Sequence, residues 1–399
     1  MTGPVTAAEL EGLLEDLVPI GRDGDGATTR LAWTAEDERA SVWFERRAAA
    51  LGRRSERDAA DNLWAAPATP PPWWAVGSHL DTVVRGGRFD GALGVAAGFA
   101  VAARAPVAVV SFADEEGARF NTPTFGSRAL TGRLDVDDAL RRADASGTTL
   151  ADAMTAAGIA ADGLREAPAW LDRLRGLVEL HIDQSRALDA AGVPAAAVRS
   201  LAARLRLQVV VKGRADHAGT TPRDERRDAL AAAARLIVRA DDLAAERADM
   251  VFTATRIEVE PNAATTVPAT VRLWLDARAP EPQAVAAWRA AFESDAAAIA
   301  ARTRTALDVT TAAWSPGTRF PAEVRDAITA GVAAAAGAAV APVVCFAGHD
   351  AGIVADERPA GMVLVRNPSG ISHAPEEDVS LADAAVAANA LVAALGRLA

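Results

Sequence analysis

The chain has one cysteine, Cys345, one lysine, Lys212, and no tyrosine among its 399 residues. A single thiol excludes an internal disulfide and a cysteine-built zinc site. Arginine carries almost all the positive charge, a bias that reads as genomic base composition rather than function. Cations are also outnumbered: the net charge of −11 argues against nucleic acid as a partner, because phosphate binding needs clustered positive charge. No stretch reaches the ~18 uninterrupted apolar residues of a membrane span. The N-terminal MTGPVTAAELEGLLEDL carries acids and lacks the basic region and apolar core of a signal peptide. The expectation is a cytoplasmic protein with no membrane or nucleic-acid partner. Histidine is scarce too: His79, His181, His217, His349 and His373 are all there are. They sit in short polar motifs, none midway along an apolar helix.

What is present is an alternation of strand-like and helical runs, with length enough for two domains. WWAVGSHL reads as a strand ending at His79, PVAVVSFADEE (106–116) as a second and GLVELHID (176–183) as a third. GALGVAAGFAVAARA (91–105) reads as a helix of small residues, and 135–175 as helices with acidic and arginine-rich faces. Such alternation implies an α/β sheet with ligands at the carboxyl ends of strands. From 204 to 316 the order becomes βαββαβ, with LRLQVVVKG, MVFTATRIEVE, TTVPATVRLWLDARA and ALDVTTAAW as the strands. That is the split, ferredoxin-like arrangement. Helix and strand then alternate again through AEVRDAITAGVAAAAGA, APVVCFAG, GMVLVRN and a terminal helix. The expected fold is therefore α/β, with one domain (1–203 and 317–399, a mixed sheet sandwiched by helices) split around an inserted βαββαβ domain (204–316).

GSHLDTVVRGGRFDG places His79, Asp81 and Asp90 in a glycine-rich frame directly after an apolar run. Glu115 and Glu116 end the second strand, His181 ends the third, and His373 lies in GISHAPEE. A hydrolytic metal site needs several neutral imidazoles and carboxylates converging. His79, Asp90, Glu116, His181 and His373 are the candidates, and a carboxylate such as Asp90 can bridge two ions ~3.5–4 Å apart. Asp81, two residues after His79, can accept the imidazole N–H and fix its tautomer. Glu115 can take a proton from water. Taken singly, HxD fits a structural turn equally well, and DEEG fits a solvated turn better; their joint occurrence at strand ends favours the metal reading.

GSHLDTVVRGGRFDGALGV, DEEGARF, GSRALTG, HIDQ, ADHAGTTPR, PNAATTVP, GHDA and GISHAPEE, in that order, resemble the dinuclear hydantoinase/carbamoylase-type amidohydrolases. These are the N-carbamoyl-L-amino-acid hydrolases, allantoate amidohydrolases and β-ureidopropionases, within the aminoacylase-like metallopeptidase superfamily. The resemblance implies two divalent ions, zinc foremost with manganese, cobalt or nickel as alternatives. One would be held by His79 and His181, the other by Glu116 and His373, with Asp90 bridging and Glu115 as general base. It further implies that His217, from a neighbouring protomer, stabilises an oxyanion. Arg278 pairs with a substrate carboxylate, and Gln184 and the turn carrying Asn262 and Thr265 contact substrate. The inserted domain would be a lid that also forms a homodimer. His349 is expected to be structural or supporting, and Asp350 to cap the following helix.

The chain departs from that pattern where substrate binds. Asp183 stands where the family has glutamate, Ser185 where it has glycine, and Thr265 where it has asparagine; AVRSLAARL replaces a glycine-bearing hinge. The implied activity is hydrolysis of the ureido or amide C–N bond of an N-carbamoyl amino acid or allantoate-like substrate, releasing ammonia and carbon dioxide from carbamoyl substrates. An N-acyl amino acid amidase or dipeptidase on the same site is the nearer alternative, and an inactive dimeric scaffold or binding protein the more distant one.

Overall fold

The computed structural model describes residues 3–398. The chain divides into two compact units: the segments up to Arg199 and from Arg319 onward form the first, and Ser200–Thr318 the second. In chain order the first contains strands β1 (Arg54–Arg57), β2 (Leu63–Ala66), β3 (Trp73–His79), β4 (Ala108–Phe112), β5 (Leu174–Ile182) and β6 (Ala195–Leu201). The second contains β7 (Ala203–Lys212), β8 (Asp216–His217), β9 (Val251–Glu260), β10 (Thr266–Val267), β11 (Thr270–Ala279) and β12 (Ala306–Ser315). After β13 (Thr318–Arg319), strands β14 (Val343–Cys345) and β15 (Ala360–Val365) complete the first.

The first unit is a mixed nine-stranded sheet in the order β1-β2-β4-β3-β5-β15-β6-β13, with β14 on β6. At its centre β4, β3, β5 and β15 run parallel, while β2 and β6 pair antiparallel at their flanks. β3, β4 and β15 are buried at every position, which is why their sequences are nearly unbroken apolar runs rather than alternating ones. The helix Ala92–Ala102 lies on this sheet with all eleven residues buried. Its closeness requires small residues: a Cβ on Gly94 would meet the Leu180 carbonyl oxygen at 2.1 Å. The terminal helix Leu381–Leu398 is long and apolar enough by length and composition to cross a membrane, but more than half of it is buried in the fold, where it packs against Ala322–Ala336.

In the second unit the order is β-α-β-β-α-β, with a four-stranded antiparallel sheet β12-β7-β11-β9 and β8 and β10 as a separate two-stranded ribbon. β7 alternates buried and open positions, as a sheet covered on one face requires. Helices Ala229–Ala245 and Pro282–Thr303 supply that cover, and Leu207, Val209, Leu236, Leu273, Trp288 and Phe292 lie at the core.

Two readings differ from the structure. The 135–175 stretch contains only two short helices and a 3₁₀ run, Ala161–Arg173, interrupted by Pro168, which has no N–H to extend an α-helix. TTVPATVRLWLDARA is two strands, because Pro268 cannot donate to the ladder. The residues of AVRSLAARL lie in β6 and β7 with only Ala202 between them.

Candidate metal centre

The central parallel strands deliver the candidate ligands. His79 is the last residue of β3 and His181 the penultimate residue of β5; Glu115 and Glu116 follow β4, and His373 lies in the loop after β15. Asp90 comes from the loop between β3 and the helix at Ala92, just before Gly91. Gly91 has φ +65°, and a Cβ there would lie 2.4 Å from the His79 ring. Glycine is therefore required at that turn. His373, at φ +59°, and Asp114, the neighbour of Glu115, at φ +47°, hold left-handed backbone, the kind of local strain that gathers at functional sites.

The ligand atoms form two sets that share Asp90. In one, Asp90 Oδ1 lies 3.5 Å from His79 Nε2 and 3.0 Å from His181 Nε2. In the other, His373 Nε2 lies 3.5 Å from Asp90 Oδ2 and 3.4 Å from Glu116 Oε1. Each set lies close enough to hold one cation. His79 Nε2, His181 Nε2 and Glu116 Oε1 are buried without a hydrogen-bond partner. Burying such atoms unmatched costs ~1–3 kcal/mol each. Orphaned imidazole and carboxylate atoms converging on one shared carboxylate are the donor set of a divalent pair, so the residues present fit two ions. The other ring nitrogens are turned to backbone oxygens: His79 Nδ1 donates to the Asp81 carbonyl at 3.0 Å and His181 Nδ1 to the Ile182 carbonyl at 3.1 Å, leaving each Nε2 free to bind metal.

Asp81 has a different job from the one expected. Its carboxylate is 3.7 Å from His79 Nδ1 and instead accepts the backbone N–H groups of Glu115 and Glu116, both at 3.0 Å. It orients the candidate base and a candidate ligand, while its main chain orients the imidazole. Asp350 is also corrected. His349 occupies the cap position of helix Asp350–Val354 without a side-chain bond, and Asp350 is the first helical residue, fully buried with both carboxylate oxygens unbonded.

Glu115 is buried, its Oε2 3.8 Å from His79 Nε2. Burial pushes its carboxyl well above the usual range, with His79 opposing. Burial, then the Asp90 charge, pushes Glu116 up to about 8. For Asp90 burial acts the same way, but the His181 and His79 imidazoles win and hold it well below the usual range. His349 is buried with neither ring nitrogen bonded, its centroid 4.3 Å from that of His181; burial and then His181 keep it neutral.

Gln184 Nε2 donates to Asp90 Oδ2 at 3.0 Å and lies 3.5 Å from His373 Nε2. Asp183 and Ser185 satisfy each other: the Asp183 carboxylate accepts Ser185 N, Ser185 Oγ and Leu188 N. The two departures from the family pattern thus build one self-contained turn. Two residues not singled out from the sequence belong here. Glu377 Oε1 accepts Phe89 N and Asp90 N, and Ser372 Oγ donates to Asp90 Oδ2 at 3.1 Å and to Glu377 Oε2 at 3.2 Å. The visible signal was their place on either side of His373 in GISHAPEE.

The remaining candidates lie in the second unit. His217, exposed, pairs with Thr266 across the β8–β10 ribbon, and Thr265 accepts from Ala218 N. Gly219 N and Thr220 N donate to His217 Nδ1 at 3.0 and 3.1 Å, which places the proton of the neutral ring on Nε2. Arg278 grips Asp276, Nε to Oδ1 at 2.7 Å and Nη2 to Oδ2 at 3.3 Å. Asn262 sits exposed in the turn after β9.

Imidazoles and carboxylates at the ends of parallel strands, in two sets joined by one aspartate, define a metal-dependent hydrolase of the mixed α/β type. The chain belongs to peptidase family M20/M25/M40, whose model matches residues 75–397. It is 34% identical to an N-carbamoyl-L-amino acid amidohydrolase from Geobacillus stearothermophilus, the match covering 97% of both chains. It is 31% identical to the allantoate amidohydrolase of Escherichia coli K12, over 98% of this chain and 97% of that one. Among solved structures, a hydantoinase/carbamoylase family amidase from Burkholderia multivorans superposes with a TM-score of 0.87 at 28% identity, over 99% of this chain and 98% of the other.

Proposed function

We propose that the protein hydrolyses the ureido or amide C–N bond of a small carboxylate-bearing substrate, an N-carbamoyl amino acid or an allantoate-like compound. The observation that carries this reading is Asp90 shared by two imidazole-containing sets, His79 with His181 and Glu116 with His373. The full-length similarity to an N-carbamoyl-L-amino acid amidohydrolase and an allantoate amidohydrolase narrows it from amide hydrolysis in general.

In this reading those five residues hold two divalent ions, zinc foremost, with manganese, cobalt or nickel also suited to nitrogen and oxygen ligands. Such ions supply Lewis-acid polarisation of a carbonyl and acidification of water. Glu115 takes the proton of the attacking water on its carboxylate and returns it to the leaving nitrogen. Asp81 keeps Glu115 in place through the backbone N–H. His217 Nε2–H, supplied by a second copy, donates to the developing oxyanion. Arg278 takes the substrate carboxylate as a bidentate fork, exchanging Asp276 for it. The second unit serves as lid and dimerisation surface, and the enzyme works in the cytoplasm. For a carbamoyl substrate the products are the amine, carbon dioxide and ammonia.

Thr265, in place of the family asparagine, favours one second reading, an N-acyl amino acid amidase or dipeptidase on the same site. Release of ammonia and of free α-amine across N-carbamoyl, N-formyl and N-acetyl amino acids, a dipeptide and allantoate, with added zinc or manganese, separates the two. Ammonia from carbamoyl substrates or allantoate upholds the first reading; cleavage of acetyl or peptide substrates alone replaces it with the second.

A further inference from the structure

Upstream of the stretch matched by the family model, Arg30 is only 1% exposed. Burying a guanidinium is costly unless its donors are matched. Here Nε donates to the Leu80 carbonyl at 2.7 Å and Nη1 to the Ile20 carbonyl at 2.9 Å. Leu80 lies between His79, a candidate ligand, and Asp81, whose carbonyl holds the His79 ring and whose carboxylate holds the N–H groups of Glu115 and Glu116. One buried cation thus grips the middle residue of the segment that orients a ligand and the base.

The grip is reinforced along the chain. Arg30 N donates to Thr82 Oγ1 at 2.8 Å, and Thr82 N donates to Arg30 O at 2.9 Å. Thr28 and Gly86 exchange both backbone hydrogen bonds, at 2.9 and 2.8 Å, and Arg85 N donates to Thr29 Oγ1 at 2.9 Å. Residues 28–30 are therefore zipped onto the loop that starts after His79 and ends at Asp90. Burial draws Arg30 down to about 10, with Asp37 and then Asp81 opposing, so it stays charged at neutral pH.

We propose that Arg30 is a positioning residue for the metal centre: by holding the Leu80 carbonyl it sets the backbone from which His79 and Asp81 present the ligand and the cradle of the base. The inference deepens the metal-centre reading and rests on it. A structural role alone predicts lost stability without a change in metal binding, which gives the test its contrast. Arg30→Met, Arg30→Lys and Thr82→Val are compared with Arg104→Met, which removes a well-bonded arginine anchored to Gly3, Ala100 and Glu9 instead. The readouts are zinc dissociation constant by chelator competition, thermal unfolding of the metal-free protein, and kcat and KM separately.

Arg30→Met is expected to weaken zinc binding about 10–100-fold and to lower kcat about tenfold or more with KM little changed, the scale of losses seen when a residue behind a metal ligand is removed. Arg30→Lys recovers part of this, since an ammonium can reach one carbonyl but lacks the planar fork. Thr82→Val moves the same way by a smaller factor, and Arg104→Met leaves zinc affinity within about twofold. Arg30→Met with wild-type zinc affinity, or Arg104→Met weakened equally, overturns the proposal. Should Arg30→Met not fold, unchanged zinc affinity in both Arg30→Lys and Thr82→Val overturns it. A wild-type protein that binds neither zinc nor manganese overturns the metal-centre reading itself, a result distinguishable from failure of the Arg30 variants alone.

Discussion

His79 and His217 are both imidazoles in short glycine-marked motifs, yet the two units treat them in opposite ways. In the first unit His79 is buried, one nitrogen fixed by a backbone carbonyl and the other left without a hydrogen-bond partner facing Asp90. In the second unit His217 is exposed and its Nδ1 is satisfied by two backbone N–H groups of its own turn. Glu115 and Arg278 differ similarly, the one buried among charges, the other holding a neighbouring aspartate. Unmatched buried polar atoms are expensive and persist where a ligand compensates them. Exposed groups satisfied by neighbours can exchange partners cheaply. On the proposed reading, the first unit would be committed to one chemistry, whereas the second would be free to vary what it recognises. Of the departures from the family pattern, Thr265 lies in the second unit, whereas Asp183 and Ser185 lie in the first, beside Gln184.

The contrast breaks most visibly at the base. Glu115→Gln should lower kcat by about 10³-fold with metal content unchanged, the scale of a general-base loss. Activity within tenfold of wild type would remove Glu115 from that role. Next come substitutions in the second unit, which should alter kinetics without touching metal affinity. His217→Asn should cost about 10²-fold in kcat, and Arg278→Lys should raise KM about tenfold by replacing a planar fork with a point charge. Loss of zinc in either variant would show that the two units are not divided as described.

The smallest effect tests whether burial alone marks a reactive acid. Asp58 is buried like Glu115, but it accepts from Ala60 N, Asn62 N, Asn62 Nδ2 and Trp64 Nε1. Burial, outweighing those bonds, raises its carboxyl from 3.8 to about 6. The folded state therefore favours the protonated form. Its stabilising contribution is full below pH ~4 and fades as pH rises through 6. The stability difference between wild type and Asp58→Asn in urea should shrink by on the order of 2 kcal/mol from pH 4 to pH 7, with kcat little changed. A difference independent of pH would contradict the raised pKa.

The parts of the fold that were legible are those where physics leaves a local trace. Strands buried on both faces must be continuous apolar runs, so β3, β4 and β5 announced themselves, and the candidate ligands at their ends followed. The roles that were misread depend on partners distant in sequence. Nothing near Asp81 reveals that its carboxylate caps the backbone of Glu115 and Glu116, and nothing near Glu377 reveals that it holds Asp90. Arg30 left no more trace than an arginine beside an apolar residue in TTRLAW. Local chemistry misled as well: 135–175 has helical composition, but Pro168 and short capped turns keep it from forming long helices.

Asp90 is the single point of failure of the centre. Of the two sets that share Asp90, His79 and His181 belong to one and Glu116 and His373 to the other, so on the proposed reading losing any one of these four would leave the other set whole. Asp90 has no such redundancy, since its two oxygens are divided between the sets. On the proposed reading, a cation in one set would draw on a carboxylate the other also needs, so the two affinities would be linked, and by thermodynamic reciprocity each would change the other by the same factor. A titration with zinc should then depart from two independent isotherms, and partial loading should behave as a property of the pair.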